Sequence, residues 1–338
     1  MHPFNIVCSA PFAVSFFIVL SGFLYGTRYK KYSEEIGFYG NIKNALKKIL
    51  KWYPLHIVAL IAVVPMTDFF WLLSARDMDG LKIWFGKFIT NVFLIQDWFT
   101  TDYFKFNGLS WFLSMLAFIL VLMPYLARFF SKLLDRGLIY VAFAFIIINL
   151  CDLFYSWYIM KIGLHQEYWL YIFPVSRIPE FADGMLAGMI FCCLSQKQYL
   201  DKINIWMANI LELAAAAMVV YLIGFAKFPQ WLWRHWIWII PGCVVVFVFT
   251  MEKGLLSKIL GCRLLRYLGD ISFELFILHT VIIKYINKTI DCNKISEFGK
   301  GGVLIFTFIL VFMVANIIHN VNWKNFYKDI ADILKNRG

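Results

Sequence analysis

The stretch AVSFFIVLSGFLYGTRYKK (13–31) decides the fold class, because an apolar run in it passes directly into a basic segment. Together with the apolar residues before it, the run covers about residues 10–27, and a helix that crosses a bilayer needs about 20 mostly apolar residues. In lipid, only helices and closed barrels satisfy their own backbone polar groups, and long unbroken apolar runs favour helices. The stretch therefore predicts a transmembrane helix that ends at a basic membrane surface.

Apolar runs of similar length recur along the whole chain, each bounded by charged residues or by Gly and Pro. The further runs lie near residues 53–73, 109–126, 138–158, 171–194, 204–225, 233–250, 270–290 and 301–320. Of the 338 residues, 61% are hydrophobic and only 16% are charged, whereas soluble domains have about 45–50% apolar and 25% charged residues. No Pro/Ser-rich linker divides the runs. The sequence predicts an all-α, polytopic membrane protein with about nine transmembrane helices, which form one domain over residues 1–338.

Lys and Arg residues concentrate on alternate connections, and this decides the orientation. The side that holds the 28–51 connection carries about twice as many of them as the other side, and such a surplus marks the cytoplasm. We therefore expect the N-terminus of the chain outside and the C-terminus in the cytoplasm. Counting IWFGKFITNVFLIQD (83–97) as a span would reverse every later connection, so this segment is predicted to be interfacial or re-entrant. A chain that starts outside without a signal also predicts a further span ahead of Met1, which would make ten.

The net charge of +11 follows this topology rather than a nucleic-acid surface, because the basic residues gather at the predicted cytoplasmic ends of the helices. We expect the lipid bilayer as a partner and no nucleic acid. The seven cysteines form no C-x-x-C pair, which gives no indication of a metal site or a disulfide framework. Four histidines near helix ends are predicted to be interfacial, namely His56, His165, His235 and His319.

Five motifs follow one another along the chain in a recognisable order. They are SGFL (21–24), KKILKWYP (47–54), LSWFLSM (109–115), RIPEFADGMLAG (177–188) and LGDISFELFILH (268–279). Their arrangement resembles that of the acyltransferase-3 family of membrane O-acyltransferases. The resemblance covers most of the chain, and it implies about ten spans and the transfer of an acyl group to a sugar hydroxyl.

The catalytic residue that the resemblance implies is His2. The first span of the family ends in a histidine that follows a basic residue and ten further residues. His2 lies 19 residues before Ser21, close to the separation between this histidine and S-G-F in the family, and the basic partner would fall ahead of Met1. Histidine suits a general base because its unperturbed pKa is about 6.5. The alternative is that His2 is a loop residue without a catalytic role.

Charges inside the predicted spans, together with the resemblance for the lysines, indicate residues that bind the acyl donor. Arg177 and Glu180 lie three residues apart in one predicted span, on neighbouring turns of one face. In the functional interpretation, Arg177 binds a phosphate or thioester oxygen of the donor and Glu180 orients the donor or the acceptor. The alternative is an ion pair that only fixes packing. Lys47, Lys48 and Lys51 either anchor the chain at the cytoplasmic surface or receive the phosphates of acyl-CoA.

The remaining matches are assigned to the substrate or to the cavity around it. They are Ser21, Gly22, Trp111, Ser114 and His279. For Ser21 and Gly22 the alternative is close helix packing through a pair of small residues. For His279 the alternative is a structural hydrogen bond.

The sequence thus predicts an acyltransferase of the bacterial inner membrane that transfers groups other than amino-acyl groups, most specifically an O-acetyltransferase. Its donor would be acetyl-CoA or another acyl-CoA, and its acceptor a carbohydrate, the sugar of a surface polysaccharide (exopolysaccharide) or of a lipid-linked glycan. No metal is expected. Two alternatives stay open: a polytopic transporter or flippase for a glycan or lipid precursor, and an inactive acyltransferase fragment. Paired inverted halves with broken helices would favour the transporter, and the sequence has no convincing repeat of that kind.

Overall fold

The computed structural model describes residues 10–34, 37–99, 103–291 and 296–321, apart from the side chain of Glu297. Within these ranges the chain is helical, without any strand, as predicted for an all-α protein. In chain order the helices are α1 (Ala10–Gly26), α2 (Tyr29–Ser33), α3 (Gly37–Ile49), α4 (Tyr53–Val63), α5 (Phe69–Ser74), α6 (Met78–Val92), α7 (Ser110–Arg136), α8 (Leu138–Lys161), α9 (Ile178–Gln196), α10 (Ile205–Gly224), α11 (Gln230–Trp233), α12 (Ile239–Phe249), α13 (Leu255–Leu260), α14 (Arg263–Asp270), α15 (Ser272–Thr289) and α16 (Glu297–His319).

Helices occupy all of the predicted membrane runs, but they differ in length. Among the residues that the structure describes, five helices are long and apolar enough to cross a membrane: α7, α8, α9 with the turn before it, α10 and α16. A sixth results if the bent pair Gly37–Ile49 and Tyr53–Met66 counts as one span. The helix α1 and the segment Trp236–Phe249 are apolar but shorter. The helices support a polytopic membrane protein, and the count of nine or ten spans stays a prediction.

The segment 83–97 falls on α6 and on the turn that follows it. The helix α6 has 15 residues and carries charges at Asp79, Lys82 and Lys87, so it is short for a span of about 20 residues. It ends at Val92, and Leu94, whose φ of 57° is left-handed, follows it before the 3-10 turn Gln96–Trp98. The interfacial or re-entrant position of this segment stays a prediction.

The chain divides into two compact units, one of residues 1–45 and 114–262 and the other of residues 46–113 and 263–338. In the first unit, α1 lies along α9 in a contact made by glycines. A Cβ atom added at Gly22 would overlap the carbonyl oxygen of Phe181, and one added at Gly184 would overlap that of Val19. Small residues allow membrane helices to approach this closely. The packing alternative for Gly22 therefore describes what the structure shows.

The helix α12 packs against α1 and α9 and completes the core of the first unit. The buried residues of this core are Val19, Phe23, Ala187, Ile239, Cys243 and Val246. In lipid, such a core is stabilised by dispersion contacts between closely packed atoms rather than by removal of apolar surface from water. This packing holds α9 in place between α1 and α12.

The second unit contains α4, α5, α6, α14, α15 and α16. Its core is formed by Leu60, Val63, Leu72, Leu81, Trp84 and Phe106. The hydroxyl of Tyr285 donates to the carbonyl of Ala62 at 2.7 Å, which ties α15 to α4. His56 is buried, with Nε2 2.9 Å from the carbonyl of Asn91. Packing of α4 on α6 encloses the ring, and its interfacial depth in the membrane stays a prediction.

Candidate active site

A set of buried polar side chains lies within the first unit, where an apolar membrane helix bundle would ordinarily hold none. We call it the buried polar cluster, and it consists of Ser15, Asn149, Asp152, Arg177, Glu180, Asp183 and His235. They come from α1, from α8, from the start of α9 and from the connection between α11 and α12. Charged groups at membrane depth are expensive, so a concentration of them marks a functional site.

Arg177, Glu180 and Ser15 meet at one carboxylate oxygen. Nη1 of Arg177 lies 2.9 Å from Oε1 of Glu180, and both side chains are fully buried. The hydroxyl of Ser15 donates to the same Oε1 at 2.6 Å. The guanidinium carbon of Arg177 also lies 4.9 Å from the centre of the Tyr171 ring, a cation–π contact that strengthens away from water. The predicted pairing of Arg177 with Glu180 is what the structure shows.

The start of α9 explains why this pair forms. A 3-10 turn over Pro174–Arg177 leads into the helix, so that Arg177 precedes its first residue and Glu180 lies in its first turn. An acidic side chain in the first turn interacts favourably with the partial positive charge of a helix N-terminus. Pro179 is compatible with this place, because the first helical N–H groups have no partner within the helix. The apolar run 171–194 predicts a longer helix that contains both residues, whereas α9 begins at Ile178.

The second carboxylate oxygen of Glu180, Oε2, indicates where a ligand can bind. Within the ranges that the structure describes, Oε2 is buried and accepts no hydrogen bond. A buried acceptor without a donor costs about 1–3 kcal/mol. The arrangement therefore offers a hydrogen-bond acceptor to a ligand hydroxyl next to a guanidinium that can bind an anionic or carbonyl oxygen.

Asn149 of α8 holds the second acid of α9. Its Nδ2 lies 2.6 Å from Oδ2 of Asp183 and also donates to the carbonyl of Phe145 at 2.9 Å. Asp183 follows Glu180 by three residues, so the two carboxylates lie on one face of α9. The sequence singled out this span but gave no partner for Asp183, because Asn149 is 34 residues earlier.

His235 and Asp152 form a second buried pair. Nε2 of His235 lies 3.0 Å from Oδ1 of Asp152, and the two side chains are 0% and 1% exposed. His235 is thus buried inside the protein, beside the 3-10 turn Trp236–Trp238, in which Trp238 is buried and packs against Phe12 and Trp233. Its interfacial depth in the membrane stays a prediction. One signal could have found the pair. Asp152 is the single charged residue in the run LIYVAFAFIIINLCDLFYSWY (138–158), and a lone acid in a span requires a partner.

An apolar cavity of about 680 Å³ adjoins this pair. It lies between α7, α8 and the start of α9, and Asp152 and Tyr155 are among its lining residues. Most of the lining is aliphatic or aromatic, for example Phe130, Ile159 and Ala182. The carboxylate of Asp152 thus lies where an apolar space meets the buried polar cluster.

The other predicted site residues are distributed as follows. His2 lies outside the described residues. Ser21 is partly buried in α1, and Ser114 is buried in α7. The second unit contains five predicted site residues, namely Trp111, His279, Lys47, Lys48 and Lys51. Trp111 is buried. Nδ1 of His279 lies 3.1 Å from the carbonyl of Leu275 in its own helix. The structure thus brings together Arg177 and Glu180 of the predicted set, and it adds Ser15, Asn149, Asp152, Asp183 and His235. For the other predicted site residues, contact with a substrate stays a prediction.

Long apolar helices around a buried, charged site define a polytopic membrane protein with an internal polar site. The family model described as "Acyltransferase domain", that of the acyltransferase-3 family, matches residues 3–318, and the chain belongs to this family. Neither the curated proteins nor the solved structures gave a match. The resemblance of the five motifs is thereby confirmed, and the protein is a membrane acyltransferase by family.

Proposed function

We propose that the protein is an O-acyltransferase of the bacterial inner membrane, which moves an acyl group from cytoplasmic acyl-CoA to a sugar hydroxyl of a surface polysaccharide or lipid-linked glycan. The simplest donor is acetyl-CoA, and the group transferred is then acetyl. The observation that carries the proposal is the fully buried Arg177–Glu180 pair, which Ser15 completes and which leaves Oε2 of Glu180 available to a ligand.

Acyl transfer from a thioester needs positive charge where the carbonyl oxygen becomes negative. A guanidinium has five N–H donors in a fixed plane, so Arg177 can bind Glu180 and an oxygen of the donor at the same time. A preorganised hydrogen-bond donor in a site without water stabilises a developing oxyanion strongly. Glu180 fixes the direction of the guanidinium, because its Oε1 is itself held by Ser15.

The free oxygen of Glu180 would position the acceptor. A sugar hydroxyl that donates to Oε2 satisfies the buried acceptor and brings its own oxygen close to Arg177. Holding two reactants in the right geometry contributes about 7–11 kcal/mol of a bimolecular barrier in favourable cases. This arrangement orients the acceptor, while removal of its proton requires a separate base.

That Lys47, Lys48 and Lys51 receive the phosphates of acyl-CoA stays a prediction from the family resemblance. Lys47 and Lys51 are exposed, and Lys48 is partly buried at the end of α3. Acyl-CoA carries several phosphate charges, and lysine ammonium groups attract phosphates as point charges. His2 as the base, and Ser21, Gly22, Trp111, Ser114 and His279 around the substrate, stay predictions from the family resemblance.

The test follows labelled acetyl groups from acetyl-CoA into the glycan of membranes that contain the protein. We expect Arg177→Ala to lower the transfer rate by about 10²-fold or more, as loss of one hydrogen-bond donor to an oxyanion does in other acyl transfers. Glu180→Gln should lower the rate too, because it removes the charge that directs the guanidinium. The matched control is Glu212→Gln. Glu212 of α10 is equally buried, but it accepts from Gly254 N at 2.9 Å and from Ser257 and belongs to no contact of the Arg177–Glu180 pair that the structure describes.

Transfer at the ordinary rate in Arg177→Ala would show that the pair is only structural. Absence of labelled glycan with the unaltered protein would exclude the proposed reaction, and movement of a glycan without acylation would favour the transporter or flippase. The amount of each variant in the membrane is measured alongside. Because Arg177→Ala leaves the buried Glu180 without its ion-pair partner, its transfer rate is expressed per amount of variant protein in the membrane.

A further inference from the structure

The second unit contains a pocket of about 250 Å³ that shares no residue with the buried polar cluster. One side of the pocket is a face of α6, and the other side is the turn that follows this helix. Residues three and four positions apart lie on one face of a helix, and this spacing relates the polar lining residues of α6. The residues that matter for binding are Gly86, Lys87, Thr90 and Asn91 of α6 and Gln96 and Phe99 of the turn.

Leu94 turns the chain back after α6 and so brings the turn to the pocket. Its left-handed φ of 57° is unfavourable for a residue with a Cβ atom. Contacts around it maintain this conformation: Leu94 is buried, its N–H donates to the carbonyl of Asn91 at 3.2 Å, and Ile95 N–H donates to the carbonyl of Thr90 at 2.9 Å. The position of Gln96 against α6 is therefore fixed by the backbone.

The amide of Gln96 is only half satisfied. The side chain is 3% exposed, and its Nε2 donates to Oγ of Ser110 across a long 3.4 Å. Among the described residues, no group donates to its buried Oε1. A buried acceptor without a donor is unfavourable, and such atoms are rare in folded proteins. A ligand hydroxyl that donates to Oε1 would remove this cost.

The neighbouring polar side chains are already oriented by the chain itself. The hydroxyl of Thr90 and Nδ2 of Asn91 both donate to the carbonyl of Lys87, at 2.8 and 2.9 Å. The hydroxyl of Ser110 donates to the carbonyl of Asn107 at 2.8 Å. The hydroxyl oxygen of Thr90 keeps lone pairs that can accept from a ligand. Because these groups are held in place, a ligand has little side-chain entropy to remove on binding.

The pocket also has room and an apolar surface. Nothing lies within 4 Å of a Cβ atom added at Gly86, and the ring of Phe99 is exposed. The face of an aromatic ring carries partial negative charge, so the C–H groups on the flat side of a sugar ring pack well against it. An aromatic ring beside an amide, a hydroxyl and an ammonium group therefore matches a ligand that has hydroxyls at its edge and C–H groups on its face.

The chemistry of Gln96 separates a sugar from the other ligands that a membrane surface offers. A hydrocarbon chain would leave Oε1 without a donor. An ionised phosphate carries acceptor oxygens and would meet Oε1 with a second acceptor. A sugar hydroxyl donates and accepts, so it satisfies Oε1 and can receive a hydrogen bond from the ammonium of Lys87 as well.

We propose that this pocket binds a sugar ring of the carbohydrate acceptor, an inference that rests on the proposed function for the identity of the glycan. One ring hydroxyl donates to Oε1 of Gln96, a second donates to the hydroxyl oxygen of Thr90, and the flat side of the ring packs on Phe99. In the predicted orientation the connection that holds the pocket faces the outside, where the acceptor would arrive. The pocket selects and holds the glycan and takes no part in the chemical step.

The experiment measures the binding of an oligosaccharide to the purified protein in detergent. The probe is glycan from the membranes that hold the protein, released by mild acid and labelled with a fluorescent amine. We expect Gln96→Met to raise Kd about three- to tenfold, the effect of one neutral hydrogen bond. Gly86→Leu should abolish binding, because its side chain occupies the pocket. The controls are Gln196→Met, at an exposed position, and Gly224→Leu, where a Cβ also meets nothing within 4 Å.

Stability distinguishes binding from a structural role. Gln96→Met should leave the melting temperature unchanged or raise it, because it removes a buried acceptor that has no donor in the free protein. In the labelled-acetyl assay the same variant should raise KM for the glycan, with kcat and KM for acetyl-CoA unchanged, as expected when only binding is lost.

Several outcomes would overturn the site. They are absence of oligosaccharide binding to the unaltered protein, equal binding by all variants, and a fall in melting temperature of Gln96→Met that accompanies its loss of binding. Displacement of the probe by glycerol 3-phosphate would assign the pocket to a lipid headgroup instead. Acetyl transfer with binding that ignores Gln96 and Gly86 would leave the proposed function intact and exclude the pocket. Binding that depends on both residues, without any acetyl transfer, would retain the sugar site and exclude the proposed reaction.

Discussion

The hydroxyl of Ser15 donates to Oε1 of Glu180 across 2.6 Å, although the two residues are 165 positions apart in the chain. This contact joins α1 to α9 and makes Ser15 the third member of the Arg177–Glu180 group. A hydrogen bond to a charged group contributes about 1.5–3 kcal/mol. The orientation of Glu180 therefore depends on a small side chain in a helix that contributes no charge to the buried polar cluster.

Ser15→Ala tests this dependence. We expect the transfer rate to fall at least about tenfold, since about 1.4 kcal/mol corresponds to one factor of ten, and the apparent melting temperature in detergent to decrease. The control is Thr27→Ala, which removes a methyl group and a hydroxyl that donates to Leu24 O at the end of α1. Equal rates in the two variants would show that Ser15 does not orient Glu180.

Gly22→Ala tests the close contact of α1 with α9. The added Cβ would overlap the carbonyl oxygen of Phe181, and overpacking of this kind typically costs about 1–3 kcal/mol. We expect a lower melting temperature together with reduced transfer, because the helices must separate and Ser15 moves with α1. Gly224→Ala is the control, since nothing lies within 4 Å of a Cβ at that position. Unchanged stability of Gly22→Ala would contradict the contact.

Exchange of the Asn149–Asp183 pair tests the 2.6 Å contact between α8 and α9. Asn149→Asp alone places two carboxylates side by side in a buried site, so we expect a large loss of melting temperature or of protein in the membrane. Adding Asp183→Asn restores one amide and one carboxylate. The double variant should be more stable than Asn149→Asp, and a simple sum of the two single effects would argue against a direct contact.

The orientation can be checked with topology reporters. Because Lys and Arg residues mark the cytoplasmic connections, a reporter fused after Lys51 or after Arg266 should report the cytoplasm. One inserted at Asn293 should report the outside. A cytoplasmic signal at Asn293 would overturn the predicted nine-span topology and, with it, the external position of the acceptor.

The sequence predicted those features that depend on neighbours along the chain. Apolar runs gave helices in the right places, and the i, i+3 spacing gave the Arg177–Glu180 pair. The partners Ser15 and Asn149 escaped prediction because each meets its acid across a large separation in sequence. No local pattern encodes such contacts.

His235 shows the same limit from the other direction. It lies near the end of an apolar run, a position that gives no sign of burial inside the protein, and only the structure shows that its side chain is buried. The lone acid Asp152 was visible in the sequence as a group in need of a partner. Its partner depends on how α8 packs against the other helices, and this packing cannot be predicted from the local sequence.

The spacing of Arg177 and Glu180 also bears on how the chain enters the membrane. Two opposite charges three residues apart can neutralise each other within one segment, so the pair reaches the lipid already matched. Asp152 has no such neighbour, and His235 is synthesised 83 residues later. During biogenesis Asp152 therefore has no partner until the connection before α12 has been synthesised, so α8 is expected to stay in a polar environment until then.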